Sequence, residues 1–306
     1  MPCHFPLKGW RAKRVNPSGK RSLVFNPKDG FRDLEVTVPC GQCVDCRLEY
    51  SRQWAIRCVH EAELHEANSF VTLTFNDDYL PKDGSLDHSI FQAFLKRLRR
   101  RLEYHHGVEV RFYMCGEYGA KLGRPHYHAL LFGWDFPDRF HWVTRHGFPL
   151  YRSPLLEECW PFGFSTVGEL NFLSAAYVAR YVLKKVTGEA ARDHYQWFDP
   201  FTGEIFFLKP EYTRMSLKPG IGADWWALNG EAVKARDSVI IRGREMRPPR
   251  FYDRMFQHED SELFEAVRKN RVRAARRRVR SMCDVPHERA AAKARLVAER
   301  LPRVLD

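Results

Sequence analysis

Between Arg124 and Gly133 the chain reads Arg-Pro-His-Tyr-His-Ala-Leu-Leu-Phe-Gly, and no other stretch constrains the fold as strongly. A proline opens the run, bulky apolar residues fill it and a glycine ends it, the pattern of a short buried strand. Side chains alternate along a strand, so His126 and His128 share one face, about 7 Å apart at ~3.3 Å per residue. Two imidazoles so placed can grip one cation. Histidine pairs also sit on half-exposed strands without a ligand, but a second group of residues, some forty-five positions further along, shifts that balance.

Leu170 to Gly188 has the periodicity of a helix. Asn171 or Ser174 can cap its start, and Gly188 suits the position just past its end. Ala175, Val178, Ala179, Val182 and Val186 gather on one apolar face, whereas Tyr177, Tyr181 and Lys184 stack on nearly the opposite one. Core tyrosines belong within the apolar stripe, and these two lie off it. Phenols form stable esters with phosphate once a cation or base activates them. A cation polarising a phosphodiester and two phenols able to attack it suggest phosphoryl transfer on DNA through a covalent protein–nucleotide intermediate.

The segment from Pro125 to Phe132 resembles the histidine–hydrophobe–histidine motif of the HUH endonucleases. Tyr177 to Lys184 is similar to the two-tyrosine, lysine-terminated motif of rolling-circle initiators, and Phe70 to Asn76 to the strand motif that precedes the histidines. Pro39 to Arg47 and Lys218 to Gly222 narrow the resemblance to replication initiators of the gokushovirus branch of the Microviridae, over Met1 to about Trp226. The resemblance implies a third, acidic metal ligand upstream of the histidines. Glu117 is the best local match; its parity places it with Arg111, Tyr113 and Cys115, although a bulge near Gly116 could reverse this. Glu109 and Glu169 are weaker candidates. Other histidine-pair families fit less well. A histidine triad wants a third histidine where Leu130 stands, a cupin wants a glutamate several residues after His128, and a zinc protease spaces its histidines four apart on a helix.

Charge agrees with a DNA partner: the formal net charge is +12 and the pI about 9.4, enough to attract polyanions. At 306 residues, 44 % of them hydrophobic, one or two domains with a real core are expected. No apolar run approaches the roughly 20 residues of a membrane span. The start at Met1 to Phe5 lacks the hydrophobic region of a signal peptide. The expected location is the cytoplasm of a bacterial host, where thiols stay reduced. There Cys40, Cys43 and Cys46 have the spacing to share a soft metal, zinc above all. Cys3, His4 or Cys58 could supply a fourth ligand. Cys3 is preferred because it would clip down the N-terminus.

The expected fold class is α+β: an HUH-nuclease core with a central antiparallel sheet flanked by helices, a Cys-rich N-terminal segment and a basic helical C-terminal region. Residues 1–47 read as irregular and metal- or contact-stabilised, 48–190 as the nuclease core and 191–306 as the C-terminal region. Leu48 to Ala67 reads as a helix and Phe70 to Phe75 as a strand. Asp87 or Ser89 caps a helix whose Ile90, Phe91, Phe94, Leu95, Leu98 and Leu102 keep helical spacing. Its other face, with Lys96, Arg97, Arg99, Arg100 and Arg101, is a solvated face or a phosphate contact. Tyr195 to Phe207 reads as a hairpin with its aromatics in the core. Ala266 to Cys283 contains no acidic residue. Its Arg268, Lys269, Arg271, Arg273, Arg276, Arg277, Arg278 and Arg280 form an expected nucleic-acid-binding helix or arm.

The resemblance implies a working scheme. His126, His128 and Glu117 hold Mg2+ or Mn2+; one tyrosine attacks origin DNA and frees a 3′-hydroxyl for the host polymerase, with a host helicase as the other expected partner. The second tyrosine closes the cycle, and Lys184 neutralises charge near the phosphate. The rivals are a non-catalytic zinc-stabilised DNA-binding protein and a plasmid-type mobilisation relaxase.

Overall fold

A computed structural model describes residues 3–17, 19–119, 122–180, 185–186, 188–198, 202–279, 288, 291–293 and 295–296. The chain divides into two compact units: residues 1–50 with 282–302, and residues 51–281.

The first unit contains β1 (Leu7–Ala12), β2 (Leu23–Val24) and β3 (Gly30–Val38), an antiparallel sheet in the order β2-β1-β3. This corrects the expectation of an irregular segment. The alternation that marks a half-buried strand is nearly absent here, because most side chains of β3 are exposed on both faces. The pairing rests on backbone hydrogen bonds between residues far apart in sequence, which local patterning does not reveal.

α1 runs Val44–Ala62, four residues ahead of the sequence expectation at its start and five short of it at its end. The second unit then alternates: β4 (Asn68–Thr74), α2 (His88–His106), β5 (Arg111–Tyr118), β6 (Pro125–Phe132), β7 (Phe140–Arg145), β8 (Phe148–Arg152), α3 (Pro154–Cys159), β9 (Ser165–Glu169) and α4 (Phe172–Arg180). It continues with α5 (Ala190–His194), β10 (Gln196–Phe198), β11 (Ile205–Phe207), β12 (Tyr212–Met215), α6 (Ala223–Arg236), β13 (Val239–Ile241), β14 (Arg244–Met246), α7 (Arg250–Glu259) and α8 (Ser261–Val279). Among the described residues, seven strands form one sheet in the order β12-β5-β6-β4-β9-β8-β7, antiparallel throughout. β12 joins this sheet through β5, so the region after residue 190 contributes to the core.

Both faces of the sheet are covered. On one, Tyr127, Ala129 and Leu131 of β6 pack with Phe91, Phe94, Leu98 and Leu102 of α2. Asp87 starts that helix by accepting the Ser89 N–H at 2.9 Å, and Gly107, at φ 62°, ends it. Three arginines on its outer side serve the fold: Arg97 donates to Cys159 O, Arg99 to Val110 O, and Arg101 pairs with Glu158. On the opposite face, Leu130 and Phe132 pack with Ala55 and Cys58 of α1 and with Ala175, Val178 and Ala179 of α4. Continuous burial of β6 on both sides explains its unbroken apolar run.

The Lys218–Gly222 motif is a docking point for α1. Arg57 donates to Ile221 O at 2.9 Å, Glu61 accepts Gly222 N–H at 2.6 Å, and Arg111 bridges Glu61 and Pro219 O. Gly222 has φ 77°, and a Cβ there would lie 2.6 Å from the Tyr252 hydroxyl, so no other residue fits. The expected hairpin forms as β10 and β11. Of its aromatics Tyr195 is buried, whereas Trp197, Phe198 and Phe207 are exposed. No helix among the described residues is long and apolar enough to cross a membrane.

Candidate metal centre and phosphodiester site

Register brings the site together. Across β5 and β6 the pairing runs without interruption from Arg111↔Phe132 to Tyr118↔Pro125, which sets Glu117 directly opposite His126. No bulge intervenes at Gly116, so the parity read from the sequence holds and Glu117 faces the histidines. Glu117 Oε1 accepts from His126 Nε2 at 2.6 Å and His128 Nε2 at 3.0 Å.

Glu117 is fully buried, where an unpaired carboxylate would cost several kcal/mol, on the order of 3–5. Burial pushes its carboxyl up, but the hydrogen bonds and charge of the two histidines outweigh this and hold it at about 2. The imidazoles are oriented from behind. His126 Nδ1–H donates to Arg124 O at 3.1 Å, and His128 Nδ1 bonds to the Thr72 hydroxyl at 2.9 Å. Each ring therefore turns Nε2 toward the carboxylate, the arrangement typical of metal-binding histidines. One donor atom from each of the three residues lies within 4.8 Å of the others. A divalent cation could sit among these three atoms. Two imidazoles and a carboxylate suit Mn2+ better than Mg2+.

Thr72 was not singled out by sequence, although it lies within the Phe70–Asn76 motif. It stands opposite His128 in the β4–β6 ladder. Glu109 and Glu169, the weaker candidates for the third ligand, are exposed and do not belong to the cluster.

α4 supplies the tyrosine. Asn171 Oδ1 accepts from the N–H groups of Leu173 and Ser174, while Ser174 Oγ accepts the Asn171 N–H. The two cap candidates thus form one reciprocal box. Tyr177 is 9 % exposed, which corrects the expectation that it stands away from the packed face. Its ring meets His128 edge-on at 5.2 Å and Phe70 at 6.2 Å, while Phe70 stacks on His128, so the three rings pack mutually. Tyr177 is buried against the site itself. Tyr181 and Lys184 lie outside the described residues.

A second cluster occupies the N-terminal unit. Cys3, Cys40, Cys43 and Cys46 place their sulfurs within 4.8 Å of one another, and tetrahedral zinc with ~2.3 Å Zn–S bonds needs separations of about 3.8 Å. Cys40 Sγ accepts the N–H groups of Gln42 and Cys43, and Cys3 Sγ accepts that of Cys40. Burial opposes ionisation of Cys40, but those N–H groups prevail and bring its thiol down to about 7; burial pushes Cys46 up to about 12. The other candidates for the fourth position are engaged elsewhere. His4 Nε2 lies 2.7 Å from Asp45, and Cys58 is buried in the sheet core.

In the basic stretch, Arg271 must be reassigned. It is 13 % exposed and forms ion pairs with Asp237 and Asp253, which with its hydrogen bonds raise its pKa against the opposing effect of burial. Its acidic partners lie outside the segment in sequence, on other elements. Arg268, Lys269, Arg273, Arg276 and Arg277 are exposed on α8. Arg278 lies on α8 with its side chain undescribed, and Arg280 lies outside the described residues.

Fold and site together define an α+β protein with a candidate two-histidine, one-carboxylate metal centre beside a tyrosine-bearing helix. Residues 68–186, which hold that whole centre, match the family described as replication-associated protein ORF2/G2P. The chain is 31 % identical over 269 residues to replication-associated protein VP4 of Bdellovibrio phage phiMH2K, covering 86 % of this chain and 79 % of that one. It is 31 % identical to replication-associated protein ORF2 of Spiroplasma virus 4, over 79 % of this chain and 75 % of the relative. Against replication-associated protein ORF4 of Chlamydia phage 1 the identity is 36 %, over 51 % of this chain and 41 % of the relative. This chain belongs to the replication-associated protein family of Microviridae-type phages. No solved structure matches it.

Proposed function

We propose that the chain is an HUH-type endonuclease that initiates rolling-circle replication of a phage genome by cutting one strand of the origin and later rejoining it. The observation that carries this reading is the convergence of Glu117, His126 and His128 beside the Tyr177 ring. Membership of a family of phage replication-associated proteins supplies the biological setting. His126 Nε2, His128 Nε2 and Glu117 would hold Mg2+ or Mn2+; the ion, when bound, supplies Lewis acidity at the scissile phosphate.

The rest falls to the side chains. The Tyr177 phenol oxygen bonds to phosphorus as the P–O3′ bond breaks; the phenol gives up its proton and the departing 3′-oxygen gains one. The phosphodiester energy persists in the 5′-phosphotyrosyl ester, so rejoining needs no ATP, and the free 3′-hydroxyl primes a host polymerase working with a host helicase. Tyr181, four residues on in sequence, serves the second cleavage, and Lys184 offsets charge at the phosphate. In this reading the cysteine cluster is a structural zinc site, and the exposed α8 arginines with Arg278 and Arg280 hold origin DNA by phosphate contacts. The chain would work in the bacterial cytoplasm.

The test is to incubate the full chain with Mn2+ and single-stranded origin DNA labelled on the 5′-phosphate side of the nick. Label should survive denaturation on the protein, persist in either single tyrosine-to-phenylalanine variant and vanish in Y177F/Y181F. Label on another residue, or no adduct at all, would overturn the reading.

A further inference from the structure

The cavity above the metal centre, about 750 Å3 in volume, has a wall that the cleavage scheme does not use. Trp142, Phe164 and Leu122 line it together with Arg124, Arg145 and Arg152. Trp142 is 48 % and Phe164 65 % exposed. Large apolar side chains left open beside a polar centre mark a binding surface.

Both aromatics are held in place by the backbone. In the β7–β8 ladder His141 pairs with Tyr151 and Val143 with Leu150, which leaves Trp142 as the extra residue of a bulge. A bulge re-aims the side chain it carries, and here it turns Trp142 into the cavity. His146 at φ 50° and Gly147 at φ 82° close this hairpin in a two-residue turn, the tight geometry that matches strand twist. Phe164 follows Gly163, where any Cβ would collide with Asn76 N and Thr74 O. The Phe164 carbonyl accepts both the Thr74 N–H at 2.9 Å and its hydroxyl at 3.0 Å.

The charge lining the wall is positive. Arg124 is tied to Asp77 and Arg152 to Glu157. Arg145 has no carboxylate partner among the described residues and lies 5.8 Å from the Trp142 ring. Fixed aromatic faces beside unneutralised arginine are what single-stranded nucleic acid requires, since every base has a face to stack and every phosphate a charge to meet.

We propose that Phe164 and Trp142 are stacking platforms for two bases of single-stranded DNA, both on the same side of the scissile phosphate, with Arg145 countering the backbone between them. The strand order puts β9 two strands and β7 four strands from β6, roughly 10 Å and 19 Å from the histidines at ~4.8 Å per strand. The position of these bases relative to the cut rests on the proposed cleavage centre; the stacking itself does not need metal.

The experiment is anisotropy of labelled single-stranded origin oligonucleotides with the full chain, without added Mg2+ or Mn2+. W142A and F164A should each weaken binding about 5- to 150-fold, and W142F should restore most of the loss. Single abasic replacements should locate two sensitive bases in wild type. One sensitivity should disappear in W142A and the other in F164A. Wild-type affinity in both alanine variants, or an abasic profile unchanged by them, would overturn the proposal. So would concentration-dependent self-association that W142A abolishes, because the wall would then seat a second copy. If wild type shows the paired abasic pattern but forms no covalent adduct, the cleavage reading fails and this one stands. If adducts form normally while W142A and F164A bind as wild type, the reverse holds.

Discussion

The cysteine cluster and the histidine–glutamate centre are both compact groups of metal-ligating side chains, and they are built in opposite ways. Three of the four cysteines fall between residues 40 and 46, in a turn and the first turn of α1, with Cys3 arriving from the N-terminus. The unit around them has a small sheet of largely exposed strands. The histidine–glutamate centre instead lies on two central strands of a large sheet, with the His128 ring packed against Phe70 and Tyr177 and the imidazole nitrogens set by Thr72 and Arg124. A small unit that buries little apolar surface would draw its stability from a bound metal, whereas a site inside a large core is organised before any ion arrives.

The largest expected effect tests the first half of that contrast. Zinc binding to such a cluster is worth on the order of 10 kcal/mol, so chelation or C43S should unfold residues 1–50. Hydrogen exchange should show those amides losing protection while the seven-stranded sheet keeps its own. Protection unchanged in both regions, in protein shown to contain no zinc, would remove the distinction.

Next in size, H126A and H128A should each lower adduct formation at least about a thousandfold, a loss in the upper range for a single catalytic contact, while zinc content stays at one per chain. Both variants should also cost stability, because each strips a hydrogen-bond partner from a carboxylate with no exposure. Adduct formation near the wild-type rate in either variant would refute the site.

A smaller effect belongs to Thr72. T72V keeps the shape and removes the hydroxyl that orients His128, so Mn2+ affinity should fall about 10- to 100-fold. An unchanged Mn2+ titration would mean that packing alone orients the ring.

His60 offers a third case, a buried histidine without a carboxylate. It stacks 3.5 Å from the Trp225 ring centroid and accepts the Tyr252 hydroxyl at 2.9 Å. Burial lowers its pKa from 6.5 to about 3. The folded state therefore binds fewer protons than the unfolded one. Stability from this residue is full above pH 6.5 and declines toward pH 3, by up to about 1.4 kcal/mol per pH unit. Urea unfolding across that range should show the slope, and H60F should reduce it; identical pH profiles would assign the slope elsewhere.

The smallest effects separate the arginines of α8. Replacing Arg276 and Arg277 with alanine should leave stability within about 0.5 kcal/mol and flatten the salt dependence of DNA binding by about 0.7 per lost phosphate contact. R271A should instead cost several kcal/mol, on the order of 3, by leaving Asp237 and Asp253 unpaired. A DNA-binding loss from R271A without a stability change would restore it to the interface.

Much of the scaffold was legible because it follows from short-range rules. The spacing from Phe91 to Leu102 fixed the buried face of α2, and Asp87 its start. Parity along residues 111–118 placed Glu117 on the histidine side. The strands of residues 7–38 were not legible, since exposed strands carry no hydrophobic alternation. Tyr177 was misjudged for a related reason. A helix pattern shows which residues seek an apolar partner, but not that the lining of a polar site can itself bury an aromatic ring.

The sequence by itself determined the strand that carries His126 and His128, the spacing of Cys40, Cys43 and Cys46, and the positive charge, each a matter of neighbours along the chain. Tertiary structure alone decided that Thr72 sets His128, that a bulge turns Trp142 into the cavity and that Arg271 stabilises the fold. These depend on residues far apart in sequence, and only strand register and helix packing bring such residues within hydrogen-bonding distance.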